Sequence, residues 1–233
     1  RMRSVSIVGC GLTKFSEHWD KGLKDLIAEA GTLAIEDSGI SKEKIEAVYA
    51  GCMASGRFNG QEHIGALAAD VLGLNPVPAT RLEGACASGS LAMRNAYLAI
   101  RAGEYDVALV VGVEKMTEVD TGDAGFALGG ASDAETELFV GASFPALYAL
   151  MARSHMDKFG TTEEQLAAAS VKNHKNAAQN PYAQFRNEIT VADVMKSGYV
   201  ASPLKLLDCA PITDGAAAVV LMATDVAKKM KMA

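Results

Sequence analysis

The sequence predicts an α/β fold: a β-α-β-α-β-α-β series that returns to a final strand, forming a mixed sheet flanked by helices, with a mostly helical segment inserted late. Three observations predict it. Short β-branched or apolar runs alternate with amphipathic stretches of helical length, the pattern of parallel β-α-β units with right-handed crossovers. The run 106–113 is apolar after its first residue, which suits a strand covered on both faces. Between 117 and 209 the strand pattern lapses into polar, helix-capping sequence, then resumes at Asp214. The reading is therefore a core domain of 1–116 and 210–233 with an inserted loop domain of 117–209.

Val5 to Val8 is a short β-branched run followed by Gly9-Cys10-Gly11. A G-x-G after a strand is the start of a dinucleotide fingerprint, but position 14 is Lys where the third glycine is needed, so a plain strand and turn is preferred. Leu26, Ile27, Ala30, Leu33 and Ala34 repeat at three and four, predicting a helix over 23–38 stopped by Gly39. A mostly buried strand is expected over 45–53, a loop over 55–60 and a second helix over 62–72. His63 reads as a surface or capping residue.

A strand over 77–82 runs into Arg81-Leu-Glu-Gly84-Ala-Cys86-Ala-Ser88-Gly89-Ser90, and a helix with Leu91, Ala92, Asn95, Leu98 and Ala99 along one face runs out of it to Gly103. Cys86 thus falls at a strand-to-helix turn rimmed by small residues, at the carboxyl end of a strand, where open α/β sheets place their ligands. Unpaired amides and the helix dipole favour a thiolate there and can hold an oxyanion. Geometry alone leaves two readings open, a nucleophilic cysteine for acyl transfer and a small cysteine packed at a tight turn. The strand 106–113 follows, then a flexible loop over 121–132. Helices are expected over 145–159 and 162–179, the latter with a capping box from Thr161 or Thr162 to Glu164 or Gln165, and over 188–197. Asp214 to Met222 closes the core sheet.

The 233 residues are 49% hydrophobic, enough for one large core or a core with an insertion. A net charge of −6 lacks the basic excess of a nucleic-acid binder. The longest apolar runs fall far short of the about 20 residues a membrane span needs, and the start, with Arg1, Arg3 and an apolar run broken by Gly9 and Gly11, reads as a first strand, not a signal peptide. The four cysteines form no C-x-x-C pair, so spacing gives no zinc or redox signal; Cys10, Cys52 and Cys209 read as small core residues, in a reducing cytoplasm.

Glu83-Gly-Ala-Cys86-Ala-Ser-Gly-Ser-Leu-Ala-Met93 resembles the nucleophile segment of the thiolase family. Gly112-Val-Glu-Lys-Met116 resembles the segment after that family's fourth strand, and Asp208-Cys-Ala-Pro-Ile-Thr-Asp-Gly-Ala-Ala-Ala-Val-Val-Leu-Met222 the strand closing its N-terminal half. The wording is nearest the archaeal acetyl-CoA acetyltransferase and sterol-carrier-protein branch. The resemblance implies a thiolase-like N-terminal half in which Cys86 accepts the acyl group and an insertion covers the substrate channel and binds coenzyme A. The segments 142–156 and 202–211 are its expected coenzyme A region, with His155 and Ser202 as candidate contacts; His174 reads as a solvated helical residue. Ala210 stands where many relatives have a serine touching pantetheine. Arg57 or Phe58 is either a partner contact or part of an ordinary polar loop. The resemblance also implies an acyl-CoA substrate, no metal, a homo-oligomer (dimer or tetramer), and partners of the HMG-CoA synthase and OB-fold linker kind.

The Gly-His-Pro, Cys-x-Gly-Gly and Asn-Glu-Ala-Phe or His-Asp-x-Phe types of motif, which supply the remaining acid, base and oxyanion groups, are absent from these residues. The expectation is an N-terminal half whose missing half lies in the same or a second chain, and which alone has no thiolase activity. A related condensing enzyme (ketoacyl synthase or HMG-CoA synthase) and a non-catalytic scaffold of the same fold are the alternatives.

Overall fold

The computed structural model describes residues 3–74 and 76–231; the Arg1 of the amino-terminal charge pattern and the last two residues of the predicted core domain lie outside them. Contacts divide the chain into two units, Arg1–Glu118 with Thr213–Ala233, and Val119–Ile212.

The first unit runs β1 (Val5–Leu12), α1 (Leu23–Ser38), β2 (Ala47–Gly51), a single turn α2 (Ser55–Phe58), α3 (Ile64–Val71), β3 (Ala79–Leu82), α4 (Ser88–Ala102) and β4 (Val107–Lys115). The second holds α5 (Thr121–Gly129), α6 (Phe144–Phe159), α7 (Glu163–Ala178), α8 (Val191–Lys196) and a small hairpin, β5 (Tyr199–Ala201) and β6 (Leu204–Lys205). The chain then returns through β7 (Asp214–Ala223) and α9 (Thr224–Lys229).

The sheet order is β1-β7-β4-β2-β3, mixed as predicted: β2 pairs parallel with β3 and β4, and β7 lies antiparallel between β1 and β4. Alternation along β4 sets the layers. Leu109 and Val111 join Leu26, Ile27, Ala30 and Ile64 of α1 and α3 in the larger apolar cluster; Ala108 and Val110 join Ala92, Ala96 and Ile100 of α4 in the smaller one. Full burial of side chains such as Leu26 and Ile27 stabilises the fold by about 1.5–3 kcal/mol each. The Gly9 and Gly11 pair has a packing cause: a β-carbon on either would fall 2.2–2.3 Å from a carbonyl oxygen of α1, so only glycine lets that helix lie on the strand.

Several expectations are corrected. The buried stripe of α4 is Ser88, Ala92, Ala96 and Ile100, while Leu98 is 42% exposed; the small residues at the first three positions of the stripe let the head of the helix approach the sheet closely. Phe58 is buried under the turn α2, not presented to a partner. Cys10 is exposed: it lies on the edge strand β1 with its amide and thiol both directed at Asp37. The 121–132 stretch is largely helix, because Asp120 caps the amide of Asp123 and Ala124 and Ala127 supply a buried face.

The second unit has a sparse core. Its buried apolar residues are Ala124, Ala127, Ala149, Ala167, Val194 and Pro203. Side-chain caps carry much of the rest: Ser143 on α6, Thr162 with Gln165 on α7 and Thr190 with Asp193 on α8. No helix among the described residues is long and apolar enough to cross a membrane.

Candidate functional site

The chain leaves β3 at Leu82, makes a 3₁₀ turn over Ala85–Ala87 and enters α4 at Ser88. Cys86 is at the tip of that turn and is exposed. Ala85 adopts φ +50°, a left-handed conformation that costs a residue with a β-carbon about 1–2 kcal/mol. The surroundings hold it there. The Ala85 amide donates to the Glu83 carboxylate at 2.5 Å, and its carbonyl accepts from the Ser88 hydroxyl at 2.6 Å. The same hydroxyl accepts from the Gly84 amide at 3.1 Å, and the Ala87 amide donates to the Gly84 carbonyl at 3.0 Å. No described side chain caps α4, whose first-turn amides have no partner within the helix.

Position in the sheet fixes the turn. A β-carbon on Gly51, the last residue of β2, would sit 2.6 Å from the Ser88 carbonyl and the Gly89 amide. The head of α4 therefore rests directly on the carboxyl end of the parallel strands, as the sequence placed it. The loop after β2 is clamped beside it. Glu114 accepts from the amides of Met53 (2.8 Å) and Ala54 (3.3 Å) and from the Cys52 thiol (3.4 Å). Arg81 donates to the carbonyls of Cys52 (3.1 Å) and Met53 (2.8 Å) and pairs with Glu62. Neither clamp has a local sequence signature, though Glu114 sits inside a quoted family segment.

The other three cysteines are poorly placed for nucleophilic work. Burial, then Glu114, pushes the Cys52 thiol up to about 11. The hydrogen bond to Asp37 raises Cys10, and burial followed by Asp208 raises Cys209. All three are held as neutral thiols at physiological pH.

The insertion carries its own cavity of about 350 Å³, lined by Ser170, Asn173, His174, Gln184, Asp208 and Cys209 with apolar neighbours. His174 Nδ1 is 3.0 Å from the Asn187 carbonyl, and Gln184 Oε1 is buried with no described partner. His155 and Ser202 do not line this cavity. His155 is hydrogen-bonded to Thr161 and packed on the Phe159 ring, and Ser202 accepts from Arg153 at 2.6 Å. His63 is the N-cap of α3, at φ +60°. Among the described residues no group of three or more His, Cys, Asp or Glu is placed to hold a metal ion.

The model of the thiolase N-terminal domain matches residues 5–225. The chain belongs to the thiolase family. This thiolase domain is 52% identical over 228 residues to the acetyl-CoA acetyltransferase of Methanothermobacter thermautotrophicus, covering 98% of this chain and 59% of that protein. It is 50% identical to the enzyme of the same name from Methanocaldococcus jannaschii, covering 98% and 58%. Among solved structures, the Ltp2-ChsH2(DUF35) aldolase matches with a TM-score of 0.80 at 26% identity, over 97% of this chain and 57% of that one. The thiolase domain thus spans a little over half the length of the relatives it matches.

Proposed function

We propose that this chain is the acyl-accepting half of an acetyl-CoA acetyltransferase, with Cys86 as the nucleophile. The observation that carries the reading is an exposed cysteine on a strained turn at the uncapped head of α4, inside a thiolase domain. The Cys86 thiolate attacks the carbonyl carbon of acyl-CoA. The carbon–sulfur bond to coenzyme A breaks, the coenzyme A thiolate leaves and takes a proton, and the acyl group stays on Cys86 as a thioester. The Cys86 backbone N–H is the proposed oxyanion donor, since the amides of Gly84, Ala85, Ala87 and Ser88 already donate within the turn. Backbone donors suit this task because they are fixed before the reaction begins.

The insertion's cavity is a proposed contact surface for the coenzyme A moiety. Its amide, hydroxyl and imidazole groups match pantetheine amides, and its apolar walls match the alkyl portions. The second carbon–carbon step needs further acid, base and oxyanion groups, which we assign to a C-terminal half in the same or a second chain. Substrate is then acyl-CoA, with no metal. Assembly as a homo-oligomer, in the cytoplasm, and with a partner chain of the kind named in the aldolase neighbour completes the proposal.

The test is acetoacetyl-CoA thiolysis by the chain with and without its C-terminal half. Activity is expected only when both halves are present, and Cys86→Ala is expected to lower it by several orders of magnitude. Wild-type turnover by the Cys86→Ala protein would refute the assignment.

A further inference from the structure

We propose that Ser88 is a positioning residue for Cys86: its hydroxyl closes the turn across the cysteine and so fixes the direction of the thiol and the neighbouring amides. The proposal rests on the reading of Cys86 as the acyl acceptor. Its evidence is the double role of one side chain. Ser88 is 5% exposed, and its hydroxyl accepts from the amide of Gly84 on one side of the cysteine and donates to the carbonyl of Ala85, the residue immediately before it.

Serine at the start of a helix ordinarily spends its hydroxyl on the helix's own amides. Here Ser88 is already the first helical residue and its hydroxyl points back into the turn, while the N-cap, Ala87, offers no side-chain acceptor. Two consequences follow. The hydroxyl is not spent on the first-turn amides of α4, of which the Ser88 N–H already donates to the Ala85 carbonyl, and the left-handed Ala85 is gripped at both ends, by Glu83 on its N–H and Ser88 on its C=O. The grip has a firm base, because the Ser88 backbone lies against Gly51 with no room for a β-carbon between them. Without the hydroxyl, Gly84 N–H loses its partner and Ala85 C=O keeps only the Ser88 amide, which loosens the hold on the strained Ala85 and lets it relax toward φ below zero. That relaxation re-aims Cys86 at the tip. Displacement of a reacting group by about 1 Å lowers rates by up to about 100-fold.

The experiment uses the intact protein, with its C-terminal half, and reads Cys86 by peptide mapping. Iodoacetamide alkylation is followed against pH, and acetyl transfer from acetyl-CoA is followed at fixed pH. Ser88→Ala is expected to slow acetyl transfer about 10- to 100-fold and to displace the pH profile of alkylation, with an unfolding midpoint close to wild type. Ser88→Thr, which keeps the hydroxyl, is expected to restore both, whereas the isosteric Ser88→Val is not; this pair decides the matter if Ser88→Ala folds poorly. Wild-type acetyl transfer and pH profile in Ser88→Ala, or equal behaviour of the Thr and Val variants, would overturn the proposal. Cys86→Ala separates the two ideas. Loss of label in Cys86→Ala with an unaffected Ser88→Ala defeats only the role of Ser88, whereas label that persists in Cys86→Ala defeats the nucleophile assignment itself.

Discussion

Two lysines are buried among the described residues, and the two units treat them differently. In the core unit Lys115 donates to Asp214 (3.0 Å), Glu118 (3.0 Å), Thr117 (3.3 Å) and the His18 carbonyl (3.0 Å). Asp214 is fully buried and also receives the amides of Met116, Thr117 and His18 and the Thr117 hydroxyl. Burial alone would raise its carboxyl, but the donors from His18, Thr117 and Lys115 outweigh that and hold it below the usual carboxylate range. In the insertion, Lys205 pairs with Glu163 and lies 4.5 Å from the centre of the Tyr199 ring. Glu163 keeps 22% of its side chain in water, and Tyr199 is 60% exposed. The core pair is dry and saturated with partners; the insertion pair is wet at one end. The difference tracks the apolar surroundings, two clusters around the sheet against a handful of alanines, one valine and one proline in the insertion. It teaches that the core unit fixes where the chain leaves and re-enters the sheet, at 115–118 and 213–214, through buried charge, whereas the insertion relies on caps and half-solvated pairs.

The contrast can be broken by measurement. Asp214→Asn leaves the buried Lys115 with Glu118 as its one carboxylate partner and is expected to cost about 3–5 kcal/mol in urea unfolding of the intact protein. The pH dependence has a definite sign. Asp214 has a lowered folded-state pKa, so its contribution is present above the unfolded carboxylate value, about 3.9, and is lost as pH falls through the folded value. The gap between wild type and variant should therefore narrow only in acid. Glu163→Gln is expected to cost less, about 1–2 kcal/mol, with part of the loss removed by added salt. Equal costs at the two sites, or a salt-insensitive Glu163→Gln, would erase the distinction.

Much of the architecture was legible in the chain. Continuous apolar runs marked β4 and β7, because both faces of the sheet are covered; three-and-four spacing marked α1, a capping box marked the start of α7, and the helical stretches of α3 and α6 were also legible. The resemblance of three segments, in order, pointed to the family. What escaped had physical reasons. The glycines of 121–132 hid the helix α5, whose start depends on one Asp120 cap. The hairpin of β5 and β6 is too short for a two-residue period to register. In α4 the larger side chains suggested one buried face, but close approach to the sheet selected the alanine stripe. At the candidate site, the strand-to-helix turn at Cys86 followed from the small residues and the junction, whereas its exposure did not, since a small cysteine packed at a tight turn fits the same pattern. The Ser88 bridge and the Glu114 and Arg81 clamps did not, since bonds from side chains to distant backbone leave no spacing to read.

The central claim is that the sulfur of Cys86 carries the acyl group. Incubating the intact protein with acetyl-CoA, quenching in acid and mapping the peptides by mass spectrometry tests it directly. The account predicts one acetyl group, on the peptide containing Cys86, absent from Cys86→Ala; an acetyl group on Cys10, Cys52 or Cys209 instead, or label that survives in the variant, would contradict it.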